Sequence, residues 1–303
     1  MCRSRFLFLD ISHIDYVLPE ELIAQTPIEP RDSARLLVES LTGIQHRHVS
    51  DIVEYLRAGD VLVVNHTRVL PARLKLKRRT GGAVEVLLLE ERDADQMRWE
   101  ALVRPGGKLS PGEELLDNAG SVMLRIGQRT DAGDTFFVQF VARTHEEMMQ
   151  RIMEGGEMPL PPYITTALVD QSRYQTVFAH DQKSSAAPTA GLHFTPELLA
   201  RIREAGVEIR EVELVVGLDT FKPISVDNPL DHVIHTESYH VPADTFDACL
   251  RARESGGRVI AIGTTATRAL ESAATFAELQ GRTNLFITPG YQWKVVDMMM
   301  TNF

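Results

Sequence analysis

The sequence predicts an α/β main domain carrying an inserted small antiparallel β-barrel domain, and three observations lead to it. Residues 61–65 read Val-Leu-Val-Val-Asn, a short apolar run of the kind found in a strand buried on both faces of an α/β sheet. Residues 72–143 then change texture. Alternating segments at 84–90, 97–104, 122–127 and 135–141 are separated by Gly81-Gly82, Gly106-Gly107, Pro111-Gly112 and Gly133-Asp134, the rhythm of short strands in a small barrel or sandwich. From Pro196 onward, helix and strand patterns alternate again. The expected division is an α/β domain of residues 1–71 and 145–303, interrupted by a barrel domain of residues 72–144. A length of 303 residues is about twice that of a typical domain and suits two.

In the first part, residues 16–24 read as a short helix started at Pro19 and broken by Pro27 and Pro30. A strand is expected at 33–38 and a helix at 48–56, stopped by Gly59. Beyond the barrel, helices are expected at 146–153, 197–205, 246–254 and 266–275, with strands at 207–216 and 258–262. Residues 286–293 read as a strand entering a turn that presents Tyr291 and Trp293.

Composition narrows the class. Hydrophobic residues make up 44% of the chain, enough for a sizeable core, and no run of 18 apolar residues could span a membrane. Residues 5–9 are too short for a signal-peptide core, and Asp10 interrupts them. Cys2 and Cys249 lie far apart without metal-ligand spacing, which indicates a reducing compartment and predicts a cytoplasmic protein. A net charge of −10 argues against a general nucleic-acid binder but permits a local basic surface where one partner docks.

Five segments carry candidate chemistry. Residues 68–79 hold six basic residues and no acidic one. In a strand, Arg73, Lys75 and Lys77 share one face, so with Arg68 they form either a phosphate-contacting ridge or a solvated face paired with Glu85 or Glu90. Residues 184–197 combine small residues with Thr189, Gly191, His193 and Phe194, then Thr195-Pro196 as the start of a helix. This is either a loop approached closely by a ligand, with His193 as acid, base or donor, or a tight turn around a hydrogen-bonded histidine. Residues 258–270 run a buried strand into Gly263-Thr264-Thr265 and a helix, a layout that binds anions or polar ligand groups, although no G-x-G-x-x-G is present. Residues 231–240 contain His232, His235, Glu237 and His240. Their spacing fits no zinc pattern and suits a hydrogen-bonding row with His235, Glu237 and Tyr239 on one face. Pro289-Gly290-Tyr291 with Trp293 offers aromatic faces to a nucleobase or a sulfonium, or to ordinary packing.

Taken in order, these segments resemble the S-adenosylmethionine:tRNA ribosyltransferase-isomerase family of queuosine biosynthesis. The matching stretches include Leu18-Pro19-Glu20-Glu21-Leu22-Ile23-Ala24-Gln25, Arg31-Asp32-Ser33-Ala34-Arg35-Leu36, Thr67-Arg68-Val69-Leu70-Pro71-Ala72-Arg73 and Thr80-Gly81-Gly82-Ala83-Val84-Glu85. They continue with Pro159-Leu160-Pro161-Pro162-Tyr163-Ile164, Ala186-Ala187-Pro188-Thr189-Ala190-Gly191-Leu192-His193-Phe194, Gly263-Thr264-Thr265, Ile287-Thr288-Pro289-Gly290-Tyr291 and Val295-Val296-Asp297. The resemblance implies an α/β domain with a small β-barrel. It also implies transfer and isomerisation of the ribosyl part of S-adenosylmethionine onto 7-aminomethyl-7-deazaguanine at the tRNA wobble position, giving epoxyqueuosine-tRNA, adenine and methionine.

On this basis the expected catalytic residues are His193, His235 and Glu237. Thr189, Gly191, Phe194, Gly263, Thr264, Thr265, Pro289, Gly290 and Tyr291 are expected to bind S-adenosylmethionine, and Arg68, Arg73, Lys75 and Lys77 to contact tRNA. S-adenosylmethionine is a co-substrate, no metal or other cofactor is expected, and the chain is expected to be a monomer. Several positions depart from the family pattern: His66 replaces Asp, Val215 and Asp219 replace His and Gly, Val233-Ile234 replace Lys-Met, and Ser185 replaces Val. The family pattern also continues past Phe303 with a further C-terminal segment. Two other readings follow from the residues: a divergent, non-catalytic binder of S-adenosylmethionine or RNA, and a metal-dependent hydrolase built on His232, His235 and His240.

Overall fold

The computed structural model describes residues 16–41, 43–131, 133–217, 226, 228, 231 and 234–302. The chain opens with an antiparallel hairpin of β1 (Arg35–Ser40) and β2 (Gly43–His48), then a 3-10 helix at Val49–Tyr55. The strands β3 (Val61–Asn65) and β4 (Thr67–Val69) follow. Next come β5 (Arg73–Arg78), β6 (Ala83–Asp93), β7 (Arg98–Arg104), β8 (Glu114–Leu116), β9 (Val122–Arg129) and β10 (Phe136–Phe140). The remainder is α1 (His145–Gly155), β11 (Gly156–Glu157), β12 (Asp181–Ser184), α2 (Pro196–Glu204), β13 (Glu208–Leu214) and β14 (Glu237–His240). It ends with α3 (Ala243–Glu254), β15 (Val259–Ile262), α4 (Gly263–Phe276), β16 (Gln280–Thr283) and β17 (Met298–Met300).

Six antiparallel strands close into a barrel in the order β5-β6-β7-β10-β9-β8, because β5 pairs with both β6 and β8. Period-two alternation sends Leu74 and Leu76 inward from β5 and turns Lys75 and Lys77 to solvent. Met148 and Ile152 of α1 join the same core.

The second sheet has the order β16-β14-β13-β3-β15-β17, with β13, β3, β15 and β17 mutually parallel and β14 antiparallel to both of its neighbours, β13 and β16. Val61 and Val63 of β3 pack with α3 and α4 on one face, while Leu62 and Val64 pack with α2 and the 49–55 turn on the other. A strand that feeds two cores has no polar face, which accounts for its unbroken apolar run. Contacts between the sheets are polar: Glu90 of β6 accepts from Arg282 at 2.7 and 2.8 Å and from Ser238 at 2.5 Å. No described helix is long and apolar enough to cross a membrane.

Three expectations change. The helical stretch expected at 48–56 is a 3-10 helix at Val49–Tyr55, with the His48 amide donating to Asp51 Oδ2 at 2.9 Å at its start. The expected strand entering the turn at 286–293 is absent, since residues 284–288 join no ladder. The face shared by Glu237 and Tyr239 in β14 is buried, whereas His235 precedes the strand.

Candidate active site

The parallel strands β13, β3 and β15 end side by side, and the segment around Ala186–Phe194 crosses this end. Asn65 closes β3 onto β13 by donating to the Leu214 carbonyl at 2.9 Å and accepting from the Leu214 and Thr67 amides at 3.2 Å. The Ser185 hydroxyl donates to the Val216 carbonyl at 2.7 Å, while Ser184 Oγ donates to the Ala186 carbonyl at 2.8 Å and accepts from the Val216 amide at 3.1 Å. The serine pair therefore fixes the entry of the loop to the exit of β13, a role its small polar side chains alone do not reveal in the sequence.

Residues Thr189–His193 form one 3-10 turn. Gly191 is required there by crowding, since a Cβ on it would stand 2.7 Å from Phe178 Cζ and 3.0 Å from Thr176 Cγ2. Phe194 is fully buried beneath α2, so it packs the loop instead of facing a ligand. Thr195 caps α2 by accepting from the Leu198 amide at 3.1 Å, with Pro196 as the first helical residue. Across from the turn, Gly263 opens α4 with φ +91°, a backbone geometry that disfavours a side chain. Its Cβ position would lie 3.7 Å from Ala190 Cβ, so the Thr189–His193 turn and the start of α4 adjoin. No side chain caps that helix, and Thr265 Oγ1 is buried without a hydrogen-bond partner among the described residues. Uncapped amides at a helix start suit polar ligand groups.

His193 lies half-buried against this turn, with Nδ1 3.3 Å from the Ala190 carbonyl. A carbonyl only accepts, so Nδ1 carries the proton and Nε2 keeps its lone pair. Burial, and secondarily the nearby Arg31 cation, hold the imidazole below its usual pKa, against the raising effect of the Ala190 bond. Arg31 reaches three carbonyls, those of Gln175 at 2.7 Å, Ser172 at 3.2 Å and Leu192 at 3.4 Å. It thereby ties the residue before His193 to the 171–175 segment. Its motif was visible in the sequence; its place beside His193 was not.

His235 and Glu237 meet at Arg268, one turn into α4. Arg268 donates to Glu237 Oε2 at 2.5 Å and to the carbonyls of His235 and Thr283 at 3.1 and 3.2 Å. Glu237 Oε1 accepts from the Gly217 amide at 2.9 Å. With both oxygens engaged inside the protein, Glu237 is placed to hold the end of β13 and α4 rather than to shuttle a proton. The His235 ring stands 3.4 Å from Asp134 of the barrel. His232 lies outside the described residues, and the three-histidine grouping of the hydrolase reading is not among the described metal-ligand clusters.

Pro289, Gly290 and Tyr291 lie along α4 rather than at its start. The Tyr291 hydroxyl donates to Glu271 Oε2 at 2.9 Å and lies 3.1 Å from Thr275 Oγ1. Glu271 is eight residues past Gly263 on the helix, about 12 Å along its axis at 1.5 Å per residue. Burial pushes the Tyr291 phenol above its usual pKa. Glu271 is fully buried and also accepts the amides of Lys294, Val295 and Val296 at 3.0, 2.9 and 2.8 Å. Sequence reading missed it, because a single Glu inside a helical pattern gives no sign of facing inward.

The queuosine biosynthesis protein family matches residues 11–303 of this sequence. The chain belongs to that family. It is 47% identical to the S-adenosylmethionine:tRNA ribosyltransferase-isomerase of Symbiobacterium thermophilum over 300 residues, 97% of this chain and 86% of that protein. It is 45% identical to the protein of the same name from Staphylococcus aureus over 304 residues, 97% and 87% of the two chains. The crystal structure of S-adenosylmethionine tRNA ribosyltransferase from Thermotoga maritima aligns with 35% identity and a TM-score of 0.47, covering 95% of this chain and 83% of that one.

Arg68 is exposed on β4, Arg73 half-buried on β5, and Lys75 and Lys77 exposed. Lys75 pairs with Glu157 at 2.8 Å, where both side chains are more than half exposed, so the pair holds the ridge only weakly. Glu90, one alternative partner for these cations, is instead engaged by Arg92, Arg282 and Ser238. Among the departures from the family pattern, Val215 is buried at the end of β13, Ser185 is a structural anchor, and Asp219 and Val233 lie outside the described residues.

Proposed function

We infer that this chain transfers and isomerises the ribosyl part of S-adenosylmethionine onto 7-aminomethyl-7-deazaguanine at the wobble position of tRNA, releasing adenine and methionine. Near-full-length identity to ribosyltransferase-isomerases carries the reaction. The junction of the Thr189–His193 turn with the uncapped start of α4 at the carboxyl ends of β3 and β15 supports the place. In this reading Thr189, Gly191, Gly263, Thr264 and Thr265 line the S-adenosylmethionine pocket, with the backbone amides of α4 meeting its polar groups. The Pro289–Tyr291 turn forms a more distant wall.

The sulfonium acidifies the neighbouring 5′ carbon. His193, neutral with an unprotonated Nε2, takes that proton, and the resulting imidazolium can pass it to the departing adenine. The acceptor amine of the tRNA base is the nucleophile; in its neutral form it bonds to the ribosyl part and loses a proton to solvent, while the ribosyl bonds to adenine and to the methionine sulfur break and their electron pairs leave with those two products. Glu237 and His235 position α4 and the end of β13. Arg68, Arg73, Lys75 and Lys77 contact the tRNA backbone in a protein that is otherwise acidic. We take S-adenosylmethionine as the co-substrate with no further cofactor in this step, and the protein as a cytoplasmic monomer.

The test is adenine release from S-adenosylmethionine by the purified chain, with and without tRNA carrying the 7-aminomethyl base. Release that depends on this tRNA is expected. Binding of S-adenosylmethionine or tRNA with no release would identify a non-catalytic relative.

A further inference from the structure

His66, the residue after β3, and His180, the residue before β12, stack with ring centroids 4.1 Å apart and planes 6° apart. Asp181 faces both rings: its Oδ2 lies 3.9 Å from His66 Nδ1 and its Oδ1 3.2 Å from His180 Nδ1. One donor atom from each of the three residues falls within 4.8 Å of the others. The proposed reaction uses none of them.

Two features go beyond proximity. The His66 side chain is only 9% exposed, and its Nδ1 has no hydrogen-bond partner among the described residues. A buried ring nitrogen 3.9 Å from a carboxylate and without a hydrogen bond is a group short of a partner. On the other ring, His180 Nε2 lies 3.0 Å from Glu211 Oε2. A carboxylate only accepts, so with Asp181 at Nδ1 and Glu211 at Nε2 both nitrogens donate, and a bound ion takes the place of the Nδ1 proton. A carboxylate behind a histidine, fixing its tautomer, is the support that metal-ligating histidines carry.

We propose that His66, His180 and Asp181 bind one divalent transition-metal ion of the zinc type through two Nδ1 atoms and a carboxylate oxygen. Glu211 orients His180, and water completes a four-coordinate shell. Two imidazoles with one carboxylate favour zinc or its neighbours over calcium or magnesium, which prefer all-oxygen shells. The His180 and Asp181 side chains are 55% and 43% exposed, so solvent reaches the open side. Parallel rings direct their nitrogens side by side instead of to one point, so loading must open the stack, and exposed His180 is the ring with room to turn while it keeps its bond to Glu211. The His180 amide already donates to the His66 carbonyl at 3.1 Å. The ion would thus clip the end of the central strand to the start of β12, which leads into the Ser184–Phe194 segment. Its role is to stiffen that approach, and it stands independently of the reaction assigned above.

The test uses the full chain, stripped with a chelator and titrated with Co2+, whose visible absorption reports coordination geometry. Saturation at one ion per chain, reversed by Zn2+, is expected, with Zn2+ raising the melting temperature. His180→Gln and His66→Gln should abolish saturation, and Glu211→Gln should weaken it by about 10- to 100-fold. His180 is exposed, so loss of binding in that variant at an unchanged fold by circular dichroism reads the site directly. Absence of saturable binding, or the same one-ion stoichiometry in His180→Gln, overturns the proposal.

Discussion

Replacing Glu271 with Gln is nearly isosteric yet should cost far more than its size suggests. The two carboxylate oxygens take four donors: the Tyr291 hydroxyl and the Lys294 amide on one, and the Val295 and Val296 amides on the other. Glutamine turns one of those oxygens into a donor. Turned toward Val295 and Val296 the NH2 group faces two buried donors, and turned the other way it faces the partly buried Tyr291 hydroxyl and Lys294 amide. Each buried donor without an acceptor costs about 1–3 kcal/mol, so the substitution should cost roughly 2–6 kcal/mol. Thr275 Oγ1, 3.1 Å from the Tyr291 hydroxyl, offers that donor an alternative and draws the figure toward the lower half of the range. Urea unfolding at neutral pH measures the change as a lowered midpoint at constant slope. Tyr291→Phe removes a single donor and should cost less than Glu271→Gln. A Glu271→Gln variant within about 0.5 kcal/mol of the parent, the range typical of surface changes, would refute the reasoning.

Gly191→Ala drives a Cβ into Phe178 and Thr176 at 2.7 and 3.0 Å. It should lower stability by about 1–3 kcal/mol and raise the KM for S-adenosylmethionine, measured by urea unfolding and initial rates. The pKa of His193 is depressed on folding, so its contribution to stability is full above the ordinary 6.5 and is lost as pH falls through the lower folded value. Comparing parent and His193→Gln from pH 7.5 downward should show the parent losing its advantage below about 6.5. Arg31→Met removes a cation that depresses His193 and should move the acid limb of kcat/KM upward; an unmoved limb contradicts that placement. Reversing Arg73 and Lys77 to Glu should weaken tRNA binding and flatten its salt dependence by about one unit of slope for each phosphate no longer neutralised.

Much of the scaffold was legible because its patterns are local. The run Val61–Asn65 reads as a two-sided strand, and alternation in β5, β6, β7, β9 and β10 reads as the short strands of a small barrel or sandwich. Short or polar elements were lost: β2 reads Gly-Ile-Gln-His-Arg-His with no apolar alternation, and β8 is three residues long. The segment at 286–293 was misread because its order comes from Glu271, some twenty residues away in sequence. The loop at 186–194 and the Gly263 turn were visible as separate motifs, and only tertiary structure puts Ala190 against Gly263. His193 kept its candidacy, Glu237 was drawn into an ion pair with Arg268, and the stacking of His66 on His180 links positions more than a hundred residues apart.

The measurement that bears most directly on the proposed site is single-turnover adenine release by His193→Ala, with S-adenosylmethionine and tRNA carrying the 7-aminomethyl base both saturating. If His193 moves the proton, the variant should still bind S-adenosylmethionine while its release rate falls by about 10²- to 10⁴-fold. Release at the parental rate would contradict the assignment and move the chemistry away from the Thr189–His193 turn.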